Sequence, residues 1–154
     1  MVNFFIANRD DEYDNAALLF KDYAAWLSID LGFQHFEEEL KGLKAMYAIP
    51  QGGIMLCKIE NEFIARVAMR KIKNDTVELK RMFVKPAFLR QGIGKVLLEK
   101  MIKLAKAAHY SCIRLDTLSY MTPAINLYKQ YGFYEIPAYY HNPNATAVYF
   151  ETKC

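Results

Sequence analysis

The chain has 154 residues, 53% of them apolar, enough for one domain with a sizeable core and too few for a second. Lys and Arg number 20 against 17 Asp and Glu, and the resulting +3 is too mild to point to nucleic acid, while no apolar run approaches the ~20 residues of a membrane span. Three cysteines, Cys57, Cys112 and Cys154, make no C-x-x-C pair and no even disulfide set, and the first residues lack the order of a secretory signal. The expectation is a cytoplasmic protein with neither membrane nor nucleic-acid partners. Charge is unevenly spread, with four basic against nine acidic residues in 1–50 and sixteen against eight in 51–154. An anionic ligand on the later part and a cationic one near the earlier part would suit this division, as would solvated faces without functional meaning.

In chain order, Val2 to Ala7 is apolar and β-prone, and the Asn8-Arg9-Asp10-Asp11 cluster supplies a turn and a helix cap. From about Glu12 to Asp30, Ala16, Leu19, Phe20, Tyr23, Trp26 and Leu27 recur at helical spacing, with Gly32 as the stop. A second helix is expected from Gln34 to Leu43. Gly52-Gly53 introduces a strand, Ile54–Ile59, which turns at Glu60-Asn61-Glu62 into Phe63–Arg70. After a turn at Lys73-Asn74-Asp75 come a strand over Thr76–Val84, a helix from about Gly92 to Ala108 and a strand over Ile113–Asp116. A helix over Thr122 to Tyr131, opened by Pro123 and stopped by Gly132, precedes a last strand at Val148–Glu151. This order gives an α/β mixed sheet with helices on both faces.

The informative stretch is Phe83-Val84-Lys85-Pro86-Ala87-Phe88-Leu89-Arg90-Gln91-Gly92-Ile93-Gly94-Lys95, a strand leading through a loop into a helix start. Glycines 92 and 94 let a ligand approach backbone N–H groups that a helix N-terminus leaves without acceptors, and the helix dipole favours an anion there. Arg90 and Lys95 add positive charge. The Walker pattern fails at Leu89 and Val96, and the dinucleotide pattern at Leu97, which weakens a nicotinamide-dinucleotide reading even with Asp116 at a tempting distance. A helix cap alone is the plain alternative for the two glycines.

Three linked runs carry a family resemblance: Glu78-Leu79-Lys80-Arg81-Met82-Phe83-Val84-Lys85-Pro86, then Gln91-Gly92-Ile93-Gly94-Lys95-Val96-Leu97-Leu98, then Ala124-Ile125-Asn126-Leu127-Tyr128-Lys129-Gln130-Tyr131-Gly132-Phe133. Together they resemble the GNAT superfamily of acyl-CoA-dependent N-acetyltransferases over about residues 53–151, and more loosely before that. Leu89 departs from the [QR]-x-x-G-x-[GA] signature, with Arg90 one step later. The resemblance implies a mostly antiparallel twisted sheet of about six to seven strands with a splayed central pair. It implies acetyl-CoA as acyl donor, no metal, a small-molecule or peptide amine as acceptor, and a possible homodimer.

By the same resemblance, Arg90, Gln91, Gly92, Ile93, Gly94 and Lys95 would hold the diphosphate, Met82, Phe83 and Val84 would supply backbone contacts to pantetheine, and Asn126 would hydrogen-bond the cofactor. Tyr128 would be the general acid for the departing thiolate and Glu78 the general base acting through water. Leu115-Asp116-Thr117 would form the facing wall. Trp26, Asp30, Phe33, Phe36 and Glu37, with Tyr139-Tyr140-His141-Asn142-Pro143-Asn144, would border the acceptor. The residues alone leave simpler readings open: a core tyrosine at 128, an outward strand residue at 78 and a solvent-facing Asn126. A non-catalytic acyl-CoA-binding module is the alternative function. His35, His109 and His141 lack ligand spacing for a metal.

Overall fold

Strand β2 (Gly52–Ile59) shows how the core is divided. Ile54 and Leu56 join Ala16, Leu19 and Phe20 of helix α1 (Asp10–Leu27) on one side. Met55 and Cys57 join Leu97, Leu98 and Met101 of helix α2 (Ile93–Ala107) on the other. A strand covered on both faces needs no polar alternation, and residues 52–57 are all buried. Tyr128 of helix α3 (Thr122–Gln130) belongs to the α2 side, so among the described residues one helix covers one face and two the other.

The computed structural model describes residues 2–27, 42, 45, 47, 52–142 and 144–154, without the side chains of Trp26, Leu27 and Arg81. Apart from Gly42, the expected helix at Gln34 to Leu43 lies, with its preceding Gly32, outside the described residues. The remaining strands are β1 (Val2–Ile6), β3 (Glu62–Lys73), β4 (Thr76–Val84), β5 (Cys112–Leu118), β6 (Tyr134–Ile136) and β7 (Ala147–Lys153). Among the described residues the strands form one seven-stranded sheet in the order β1-β2-β3-β4-β5-β7-β6. All neighbours are antiparallel except β4 and β5, whose parallel pairing requires the α2 crossover.

Several boundaries differ from expectation for identifiable reasons. Helix α1 begins at Asp10, ahead of the expected Glu12, because the Glu12 carboxylate turns back to accept the N–H groups of Asn8 (3.0 Å) and Arg9 (3.1 Å). The glycine pair belongs to β2 instead of preceding it, with Gly52 opposite Arg70 and Gly53 opposite Met69. Strand β3 runs past Arg70 to Lys73, which pairs with Thr76 across the Asn74-Asp75 turn. Strand β6 was not expected; three residues are too short for periodicity to register, and pairing with β7 creates it.

The feature that shapes the molecule lies in β4. It pairs with β5 only at Thr76, Val77 and Glu78, opposite Cys112, Ile113 and Arg114, and from there the strands part. On its other edge, Ala68 of β3 faces Lys80 while Arg66 faces Phe83, so two steps of β3 match three of β4. This bulge bends the strand and switches the direction of its side chains. Leu79 packs on the α2 side, whereas Phe83 packs on the α1 side, its ring 5.9 Å from that of Tyr23. Arg66 is fully buried beside the bulge, donating from Nη2 to the Lys80 carbonyl (3.3 Å) and stacking 3.4 Å from the centre of the Phe20 ring.

Candidate active site

The parting of β4 from β5 opens a narrow cavity of about 50 Å³, lined among others by Tyr23, Lys80, Met82, Asp116, Thr117 and Tyr128. It brings the expected Met82 and Tyr128 together with the facing wall at Leu115-Asp116-Thr117. Phe83 contributes backbone to the same strand edge, but its side chain belongs to the α1 core, and Val84 packs on the α2 side. Tyr128 is only 7% exposed, its ring 5.7 Å from that of Phe133. Among the described residues its hydroxyl has no hydrogen-bond partner. Burial, then the nearby Tyr23 and Asp116, hold the phenol proton on well above the ordinary tyrosine value.

At the mouth of the parted strands the chain passes through a short 3₁₀ turn (Pro86–Phe88) and an exposed stretch, residues 89–92, before α2. Gly92 is the N-cap at φ +79°, where a Cβ would meet nothing within 4 Å, so backbone conformation and not crowding calls for glycine. Arg90 also stands in the left-handed region, at φ +64°, where a side chain costs energy. The first backbone bond of α2 runs from Val96 N–H to the Gly92 carbonyl (3.1 Å), leaving the amides of Ile93, Gly94 and Lys95 ahead of it without helical acceptors. Arg90, Gln91 and Lys95 surround these amides as exposed side chains, whereas Ile93 turns into the core. Asn126 is exposed on α3 and does not line the cavity.

Glu78 is 4% exposed, which removes the reading of an outward strand residue. Both its oxygens are engaged: Oε2 accepts the Tyr139 hydroxyl at 2.6 Å, and Oε1 lies 3.8 Å from Arg70 Nε and 3.9 Å from Lys80 Nζ. Asp116, on the same face of the sheet, accepts the Tyr140 hydroxyl (2.5 Å) and the Asn142 side-chain amide (3.2 Å), both at Oδ2. The segment before β7 thus docks over the two carboxylates through Tyr139, Tyr140 and Asn142. The rings of Tyr139, Tyr140 and Tyr149 pack at centroid distances of 5.4 to 5.6 Å. Burial first, then Glu78 for Tyr139 and Asp116 for Tyr140, raises both phenols. His141 is exposed. Of the other expected acceptor residues, Asp30, Phe33, Phe36, Glu37, Pro143 and the Trp26 side chain lie outside the described residues. Sequence reasoning missed Tyr23 and Lys80 as cavity walls; Tyr23 reads as one more member of the α1 apolar face, and Lys80 as an ordinary strand lysine.

Comparison with known proteins assigns this architecture its class. Residues 19–133 match the family described as Acetyltransferase (GNAT) family. An uncharacterised N-acetyltransferase of Dictyostelium discoideum is 31% identical, over 91% of this chain and 93% of that protein. An acetyltransferase structure from Streptococcus agalactiae superposes with a TM-score of 0.81 at 19% identity, covering 99% of this chain and 98% of the other. An acetyltransferase from Salmonella typhimurium, solved with its cofactor acetyl-CoA, superposes with a TM-score of 0.72 at 16% identity, covering 99% and 94%. The chain belongs to the GNAT family of acyl-CoA-dependent N-acetyltransferases.

Proposed function

We propose that this chain is a single-domain cytoplasmic enzyme, spanning residues 1–154, that moves the acetyl group of acetyl-CoA directly onto a primary amine. The observation that carries the reading is the cavity between the parted strands, where a buried phenol without a hydrogen-bond partner among the described residues lies beside strand edges that stop pairing after Glu78. The donors present suit acetyl-CoA: amides of Gln91 to Lys95 for the diphosphate, Arg90 and Lys95 for its charge, and the backbone of Met82 to Val84 for an amide-bearing arm. When bound, acetyl-CoA supplies an acyl carbon already activated as a thioester.

The remaining tasks fall to the chain. A backbone N–H of the bulged strand polarises the acyl oxygen in a setting largely screened from water. Glu78 takes a proton from the acceptor ammonium through water, so that nitrogen presents a lone pair. As the C–N bond forms and the C–S bond breaks, Tyr128 gives its proton to the departing sulfur, and the nitrogen's second proton, acidic once the nitrogen is bonded to the acyl carbon, returns to the phenolate. The raised phenol value means the proton is held at neutral pH until a thiolate develops beside it. The test is thiol release from acetyl-CoA in the presence of a panel of primary amines, with one acetylated amine expected per thiol. Thermal stabilisation by CoA with no amine acetylated would instead make the chain a non-catalytic acyl-CoA-binding module.

A further inference from the structure

Two carboxylates stand on the acceptor side of the sheet, and the protein treats them differently. Glu78 has a hydroxyl on one oxygen and two cations near the other, and it does not line the cavity. Asp116 does line it, in the same wall system as Tyr128. Its two donors, the Tyr140 hydroxyl and the Asn142 amide, are both neutral and both bind Oδ2. Among the described residues, Oδ1 has no partner and no cation pairs with the carboxylate. Lys80, the cation that shares the cavity wall, sits 3.9 Å from Glu78. Asp116 is therefore a carboxylate fixed in orientation through one oxygen, without a cation partner among the described residues, in the cavity wall that also carries Tyr128.

We infer that Asp116 Oδ1 receives the acceptor nitrogen, and that the acceptor is a cationic, unhindered primary amine. The inference rests on the N-acetyltransferase reading above and adds to it the group that touches the acceptor. The cavity between the parted strands is narrow, about 50 Å³, which favours a nitrogen carried on a slender, unbranched carbon. A carboxylate accepting an N–H from that nitrogen aims its remaining lone pair, and its charge draws the ammonium in before the proton leaves through Glu78.

Two small nucleophiles that differ in charge separate this from a structural role: n-propylamine, a cation at mildly alkaline pH, and hydroxylamine, uncharged there. Thiol release from acetyl-CoA is followed with each after subtraction of the uncatalysed rate. Asp116→Asn keeps acceptors for Tyr140 and Asn142 while removing the charge. Its kcat/KM is expected to fall about 100-fold for n-propylamine and less than about threefold for hydroxylamine, with the KM for acetyl-CoA and the Tm unchanged. Asp116→Glu, which keeps the charge, is expected to retain the wild-type preference between the two probes. Equal losses on both probes, a wild type that acetylates hydroxylamine but not n-propylamine, or an Asp116→Glu protein without the preference would each overturn the inference. The last arm decides the matter if Asp116→Asn does not fold. A wild type that acetylates no amine would fail the N-acetyltransferase reading itself, a separate outcome.

Discussion

A phenol that is buried, close to a carboxylate and without a hydrogen-bond partner is a proton donor in waiting, and among the described residues Tyr128 meets all three conditions. Removing its hydroxyl breaks no bond within the described residues, so Tyr128→Phe is expected to melt within about 0.5 kcal/mol of the parent and to bind acetyl-CoA as well. Its kcat should fall by about 100-fold or more, the usual contribution of a positioned acid. Steady-state kinetics with circular-dichroism melting checks both halves, and an unchanged kcat would leave Tyr128 as packing alone. Tyr128 was legible in the sequence because its interval to Gly132-Phe133 fixes a helix face and the resemblance supplies the role. Glu78 was legible as a residue but not as an environment: its contacts with Arg70 and Tyr139 come from β3 and from a segment about sixty residues downstream, which no local window contains.

Elements show the same division between local and distant causes. The glycine loop and α2 were legible because helix starts and left-handed turns are written in adjacent residues. The bulge was not, since residues 76–84 read as one uninterrupted strand and the extra residue appears only when β4 is set against β3. Its neighbour Arg66 reads as a surface position in an apolar strand, yet it is sealed against Phe20 and tied to the Lys80 carbonyl. The loop also carries a cost that can be measured. Arg90 holds φ +64° as an exposed residue, so Arg90→Gly relieves strain and is expected to stabilise the fold by about 1 kcal/mol. The same change removes a cation beside the diphosphate amides, worth roughly 1 kcal/mol, so the KM for acetyl-CoA should rise about fivefold. Thermal melts and acetyl-CoA saturation curves read the opposed effects, and a tighter KM with no gain in Tm would contradict both.

At the scale of the whole molecule, the sheet divides unequally at the wedge. β1 to β4 are held by two apolar clusters, one on each face, whereas β5, β6 and β7 are also tied by a polar knot around Glu151. Oε1 of this carboxylate accepts Arg114 Nε at 2.9 Å and the Cys112 thiol at 3.2 Å. Oε2 accepts the Tyr134 hydroxyl at 2.7 Å and lies 3.6 Å from Lys153 Nζ. Arg114 and Tyr134 are the largest causes that bring its pKa down from 4.5 to about 2. The unfolded chain therefore binds this proton at a higher pH than the folded one, so the knot's stability is complete above about pH 4.5 and disappears as pH falls through about 2. Partial solvent access reduces the full linkage value to on the order of 2 kcal/mol. The gap in unfolding free energy between the parent and Glu151→Gln is expected to stay constant from neutrality to about pH 5 and to close on further acidification. Urea unfolding at a series of pH values measures that gap; one that stays level into strong acid would remove Glu151 as the source of acid sensitivity in this half of the sheet.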